Sequence, residues 1–137
     1  MKVSEMMTPD VRVVAPGDSL RDAARMMMQL DIGSVPVGEN DRLVGFVTDR
    51  DIAVRAVAEG KDPMTAVREV MSQDVKYCFE NDDVDAVSRN MADLRIRRLP
   101  VVDANKRLVG IVSLANFAHG GGDGAADVLL KGVASPH

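Results

Sequence analysis

Residues 7–52 are written again as residues 71–117. Met7 is answered by Met71, Val11 by Val75, Met27 by Met91, Ile32 by Ile96 and Pro36 by Pro100, all at one spacing. One added residue in a loop then lengthens the spacing, so that Gly45 is answered by Gly110, Thr48 by Ser113 and Asp51 by Asn116. Solenoid repeats run to roughly 20–50 residues. A longer unit is a whole small α/β unit, and two copies can bury one shared core. Matching apolar positions follow from that core. Matching polar positions are therefore the place to look for function.

Each copy reads in the same order. A short lead-in (3–7; 67–71) precedes an extended segment (11–14; 75–79). A helix follows. In the first copy Ser19 is a good N-cap, with Asp22 on the first turn. Ala23, Met26, Met27 and Leu30 recur at helical spacing, as do Val84, Val87, Met91 and Leu94 in the second copy. Next is a strand, residues 34–37 and 99–102, whose Pro36 and Pro100 suit a strand end or edge. After a polar turn (39–42; 103–107), residues 43–47 and 108–112 form a second strand that runs straight into a helix. The expected fold class is α/β (α+β), two β-α-β-β-α repeats packed through their sheets. The boundaries fall at 1–62 for the first repeat and 63–119 for the second. A Gly-rich joint and a short apolar segment make up 120–137.

The apolar fraction of 46% and charged fraction of 28% are ordinary for a soluble globular protein. A net charge of −4 argues against nucleic acid as a partner, because no basic excess exists to neutralise a duplex. Cys78 is the single cysteine. It excludes an internal disulfide and suits a buried, inert thiol in a reducing compartment. The first 25 residues hold Glu5, Asp10, Asp18 and Asp22 with no continuous apolar run, which is unlike a signal peptide. No stretch approaches the ~20 apolar residues that span a bilayer. The expectation is a cytoplasmic protein with no membrane partner. His119 and His137 have no metal-ligand neighbours at useful spacing, so no metal is expected.

The repeated polar signature is a glycine in a small apolar strand, then hydroxyl-x-x-Asp/Asn at a helix start. It is present as Gly45 to Asp51 and as Gly110 to Asn116. Thr48 and Ser113 are placed to cap the helix, and Asp51 and Asn116 lie one turn on, near the same face. A carboxylate there suits the adjacent hydroxyls of a ribose, and the glycine admits a ligand close to the backbone. A purely structural reading also exists, with the hydroxyl as N-cap and the Asp or Asn as a first-turn complement to the dipole. Occurrence in equivalent places of both copies favours a ligand-binding role.

These residues, with 32–37 and 97–103 around them, resemble the cystathionine-β-synthase (CBS) domain family, and the two copies resemble one tandem CBS pair, or Bateman module. The resemblance covers about residues 1–118. It implies two pseudo-twofold-related clefts that take adenosine-containing ligands: AMP, ADP, ATP, NAD or S-adenosylmethionine. By the same resemblance Asp51 holds a ribose, with Thr48 on ribose or phosphate, and Asn116 and Ser113 take these roles in the second cleft. Asn116 departs from the usual aspartate, so that contact is expected to be weaker. Arg97 and Arg98 match basic positions that face phosphates in nucleotide-binding members, whereas Gly33 and Ser34 hold the matching places in the first copy without charge. Solvated cations at a helix end explain the arginines equally well. Val13, Val35, Pro36 and Tyr77 are expected to line the clefts around adenine, though ordinary strand packing explains Tyr77 too.

No Ser/His/Asp set, activated cysteine or Walker loop is present in the sequence, so no enzyme is expected. The leading expectation is a stand-alone regulatory protein. It binds an adenine nucleotide and no obligatory cofactor, forms a homodimer, and signals to an effector protein by conformational change. The alternative is a dimerisation or scaffold module whose clefts stay empty. The apolar side chains of Ile52, Val54 and Val57, with Leu114 and Phe117, are compatible with helix-mediated dimers and equally with intrachain packing.

Overall fold

The computed structural model describes residues 1–113, 116 and 117. Leu114, Ala115, His119 and the expected joint and apolar segment at 120–137 lie outside the described residues. The chain divides into two compact units. One is Arg12–Val75, the central unit; the other joins Met1–Val11 to the chain from Lys76 onward, the split unit.

In the central unit, helix α1 (Leu20–Leu30) starts where the Asp22 N–H donates to Ser19 Oγ at 3.1 Å. It ends on Asp31 in the left-handed conformation, with φ 52°. Strands β1 (Ser34–Glu39) and β2 (Arg42–Thr48) pair antiparallel. Asn40 and Asp41 both carry positive φ between them, the backbone that a two-residue hairpin needs. β2 runs into α2, which opens at Asp49–Asp51 and continues with wider π winding over Ile52–Val57. The core gathers Val14, Leu20, Ala23, Met27, Val35, Val37, Val47, Ala56, Val67 and Val70.

The split unit repeats the plan. A short strand β3 (Cys78–Phe79) lies parallel to β4 (Arg98–Val102), which pairs antiparallel with β5 (Leu108–Ser113). Helix α3 (Val84–Leu94) is capped by Asp83 and ends on left-handed Arg95, the repeat counterpart of Asp31. The extra residue of the second copy sits in the β4–β5 turn. There Asp103 Oδ1 accepts from the Asn105 and Arg107 amides, and Lys106 takes the positive φ. The core holds Val3, Met6, Cys78, Val84, Val87, Met91, Leu99, Val101, Val112 and Phe117. Mixed helices and small sheets place the chain in the α+β class.

Pro36 and Pro100 stand in the third place of their strands, away from the ends, and β4 is the middle strand of its sheet. The reason is local. The Val14 N–H donates to the Pro36 carbonyl at 3.1 Å, and Gly38 donates back to Val14. The imide nitrogen of Pro36 faces the same side, just before the parallel pairing begins, so the ring removes no ladder bond. Leu30 and Leu94, assigned above to apolar helix faces, remain partly exposed next to the left-handed turns.

The lead-ins pack where the repeat alone does not place them. Val3 donates to the Asp82 carbonyl, and Thr8 bridges Ile111 through bonds of 2.8 and 3.0 Å. In the central unit, Val67 donates to Asp18, and Ser72 bridges Phe46 at 2.8 and 2.9 Å. Each compact unit is thus the body of one copy and the lead-in of the other.

Candidate functional site

Thr48 and Asp51 meet at the corner where β2 becomes α2. The Asp51 N–H donates to Thr48 Oγ1, and the Thr48 N–H donates to Asp51 Oδ2, both at 3.0 Å. This reciprocal pair follows from the sequence, since a hydroxyl and a carboxylate three residues apart each satisfy the other's free amide. The remaining oxygen, Oδ1, faces Arg55 Nε at 3.8 Å, a loose ion pair one helical turn on. The Asp51 side chain is only 17% exposed. Arg55 also donates through Nη1 to the Val70 carbonyl at 3.3 Å.

The split unit has the same corner with different chemistry. The Ser113 N–H and its Oγ–H both donate to Asn116 Oδ1, at 2.9 and 3.0 Å. The Asn116 amide donates onward to Thr8 Oγ1 at 3.2 Å. Arg98 is paired across the strands with Ser113, as Ser34 is with Thr48. Such partners are same-face neighbours, so the register brings a cation to the Ser113 corner and a neutral hydroxyl to the Thr48 corner. Arg97, also exposed, precedes β4.

The other candidate residues are placed elsewhere. Val35 is fully buried in the core of the central unit, which leaves its backbone alone to meet a ligand. Pro36 is buried beside it. Val13 is partly exposed and lies against Gly38. Tyr77 is partly exposed and stands edge-on to Phe79, ring centroids 5.7 Å apart.

Gly45 and Gly110, expected to admit a ligand, are filled by the chain itself. A Cβ at Gly45 would lie 2.6 Å from the Met71 sulfur and 3.0 Å from the Ser72 carbonyl. At Gly110 it would lie 2.5 Å from the Met7 sulfur and 3.0 Å from the Thr8 carbonyl. At both places the missing side chain lets the lead-in segment pass close against β2 or β5. Arg55 and Thr8 were not among the residues singled out from sequence. Arg55 sits four places after Asp51, and Thr8 is matched by the hydroxyl of Ser72 in the second copy. Both signals were present.

Cys78 is buried, and burial, with a lesser contribution from the charge of Asp82, pushes its thiol up to about 12. Among the described residues, no group of three or more His, Cys, Asp or Glu is placed to hold a metal ion. No helix among them is long and apolar enough to cross a membrane.

Comparison with known proteins agrees with this architecture. The CBS domain family matches twice, at residues 3–57 and 67–120. YhcV of Bacillus subtilis, a CBS domain-containing protein, is 44% identical over 116 residues, covering 85% of this chain and 82% of that protein. Hypoxic response protein 1 of Mycobacterium tuberculosis is 35% identical over 134 residues, covering 96% and 93%. A crystal structure of hypoxic response protein I with two coordinated zinc ions superposes with a TM-score of 0.78 at 34% identity, covering 88% of this chain and 98% of that one. CBSX2 in complex with AMP superposes with a TM-score of 0.76 at 26% identity, covering 86% and 93%. The chain belongs to the CBS domain family and carries two copies of the domain in tandem.

Proposed function

We propose that this CBS pair is a regulatory protein that binds an adenosine-containing ligand and passes its occupancy to an effector protein. Among AMP, ADP, ATP, NAD and S-adenosylmethionine, AMP is the first to try, because the related CBSX2 structure holds it. The observation that carries the reading is the Asp51 carboxylate. One of its oxygens is used by Thr48, while the other faces only a loose ion pair at 3.8 Å, which suits two adjacent ribose hydroxyls as donors. In the split unit Asn116 and Ser113 offer a neutral version, and Arg98, with Arg97 before it, supplies cations suited to phosphate. No catalysis, nucleic acid or membrane enters this reading, and a reducing, cytoplasmic setting suits the buried thiol of Cys78.

A homodimer belongs to the same reading. Val54 and Val57 on α2 are 49% and 70% exposed and Met28 on α1 is 73% exposed, so apolar side chains on these helices are left for another surface. They also favour the alternative reading, a dimerisation module with nothing bound at its corners.

Thermal melting with each adenosine ligand at millimolar concentration separates the two. A ligand at 100 times its Kd adds about 2.7 kcal/mol, several degrees in a chain of this size. The expected result is a shift with at least one ligand, absent in Asp51→Ala. No shift with any of them would leave the dimerisation reading. Sedimentation at micromolar concentration checks the dimer, which a particle of monomer mass would exclude.

A further inference from the structure

We propose that Arg55 is a positioning residue that ties the state of the Asp51 carboxylate to the docking of the lead-in segment around Val70–Ser72. The inference builds on the ligand reading of Asp51 but is tested without any ligand.

Three contacts form a chain within the central unit. Asp51 Oδ1 attracts Arg55 at 3.8 Å, Arg55 Nη1 donates to the Val70 carbonyl at 3.3 Å, and two residues later Ser72 exchanges backbone bonds with Phe46 on β2. Val70 is buried and closes the 3-10 turn Val67–Glu69, so its carbonyl stands at the entry to the docked strand. The Arg55 side chain spans from the helix to the end of that turn. Its guanidinium has donors enough to serve both acceptors at once, in a planar fork that a lysine does not reproduce.

The split unit makes the same connection with other atoms. There Asn116 reaches Thr8 directly, and Thr8 is itself the residue that bridges β5. Two corners with different side chains therefore each hold on to the lead-in strand that lies on them. A purely local cap would need only the Thr48–Asp51 and Ser113–Asn116 bonds. The added reach to Val70 and to Thr8 in both units points to a link between corner and strand.

The link runs through charge in the central unit. Whatever neutralises Asp51 or engages Oδ1 weakens its hold on Arg55. The Val70 carbonyl then loses a well-placed donor, and the Ser72–Phe46 pair opens more often. A ligand that takes Oδ1 shifts the population toward the undocked strand to the extent that it prefers that state.

Amide hydrogen exchange on the full chain tests this. Asp51→Asn keeps the acceptor for the Thr48 amide, as Asn116 does for Ser113, and removes the charge and the second acceptor that face Arg55. Arg55→Met keeps the stem and removes both donors. Arg55→Met is expected to speed exchange at Ser72 and Phe46 by roughly tenfold, about the loss of one hydrogen bond to a charged donor, and Asp51→Asn by roughly twofold, about the worth of a loose ion pair one helical turn apart. The Thr8 and Ile111 amides serve as an internal control that the chain is folded. The double variant is expected to exchange no faster than Arg55→Met, since both changes break one chain of contacts. Unchanged exchange at Ser72 in Asp51→Asn, or fully additive effects, would overturn the proposal. With AMP added, the wild type is expected to change exchange at Ser72 and Arg55→Met is not. AMP that raises the melting temperature yet leaves Ser72 unchanged would overturn the link while sparing the ligand reading. Failure of every adenosine ligand to bind would overturn the ligand reading and leave the link to be decided by the ligand-free variants.

Discussion

The two corners share a scaffold and differ in charge. At Thr48 a carboxylate is balanced by Arg55 from its own helix. At Ser113 a carboxamide is satisfied by hydroxyls, and the nearby cation comes from the facing strand as Arg98. Backbone pairing, bulge position and left-handed helix ends are the same in both units. Duplication has therefore kept the geometry that folding requires and released the side chains that only a ligand or a docked strand would read. The carboxylate corner suits a diol. The cationic corner suits an anion. A nucleotide offers both chemistries, so the two corners need not rank a set of adenosine ligands in the same order.

Substitutions in matched pairs can break this comparison. The largest effects belong to the shared framework. Met91→Ala, at a fully buried core position, is expected to cost about 3 kcal/mol in urea unfolding, and Met27→Ala in the same place of the other unit somewhat less, because it is slightly exposed. Next come the glycines. Gly45→Val and Gly110→Val should each cost about 2–3 kcal/mol, equal within error, since in both the new side chain meets a methionine sulfur and a bridged backbone carbonyl. Markedly unequal costs would show that the two lead-ins are not held alike.

Smaller effects sharpen the difference between corners. Thr48→Ala removes a hydroxyl that accepts from a helix amide and should cost about 1 kcal/mol, whereas the Ser113 hydroxyl donates to a side chain, so Ser113→Ala should cost less. Equal losses would mean that both hydroxyls act as simple caps. At neutral pH the smallest effect is that of Cys78, which has no titrating partner in the first copy, where Val14 holds the matching place. Folding raises its pKa from 9.0 to about 12, so the folded thiol stays neutral while the unfolded one ionises. Its contribution is intact below about pH 9 and is lost as pH climbs from there toward 12. Slow labelling by a thiol reagent at pH 8 in native buffer, and fast labelling in urea, would check the burial.

Much of the framework was legible. The duplication, the order of strands and helices, the Ser19 cap and the Thr48–Asp51 and Ser113–Asn116 pairs all rest on residues within four places of each other, where spacing alone dictates who meets whom. The readings that changed involve partners remote in sequence. Gly45 looked like room for a ligand because nothing near it in the chain could fill that room, and Met71 does. Prolines looked like edge residues because the place where Val14 begins to pair cannot be read from β1 itself.

By itself, then, the sequence determined that this chain is two copies of one α+β plan, with a hydroxyl and a carboxylate or carboxamide at matching helix starts. Local hydrogen bonds and apolar periodicity carry that information. Only the tertiary structure decided that each lead-in docks on the body of the other copy, that Arg55 and Thr8 join the corners to those strands, and that Arg98 stands opposite Ser113. These depend on which distant segments cover a strand's open edge, and burial and backbone pairing settle that choice only when the whole unit has closed.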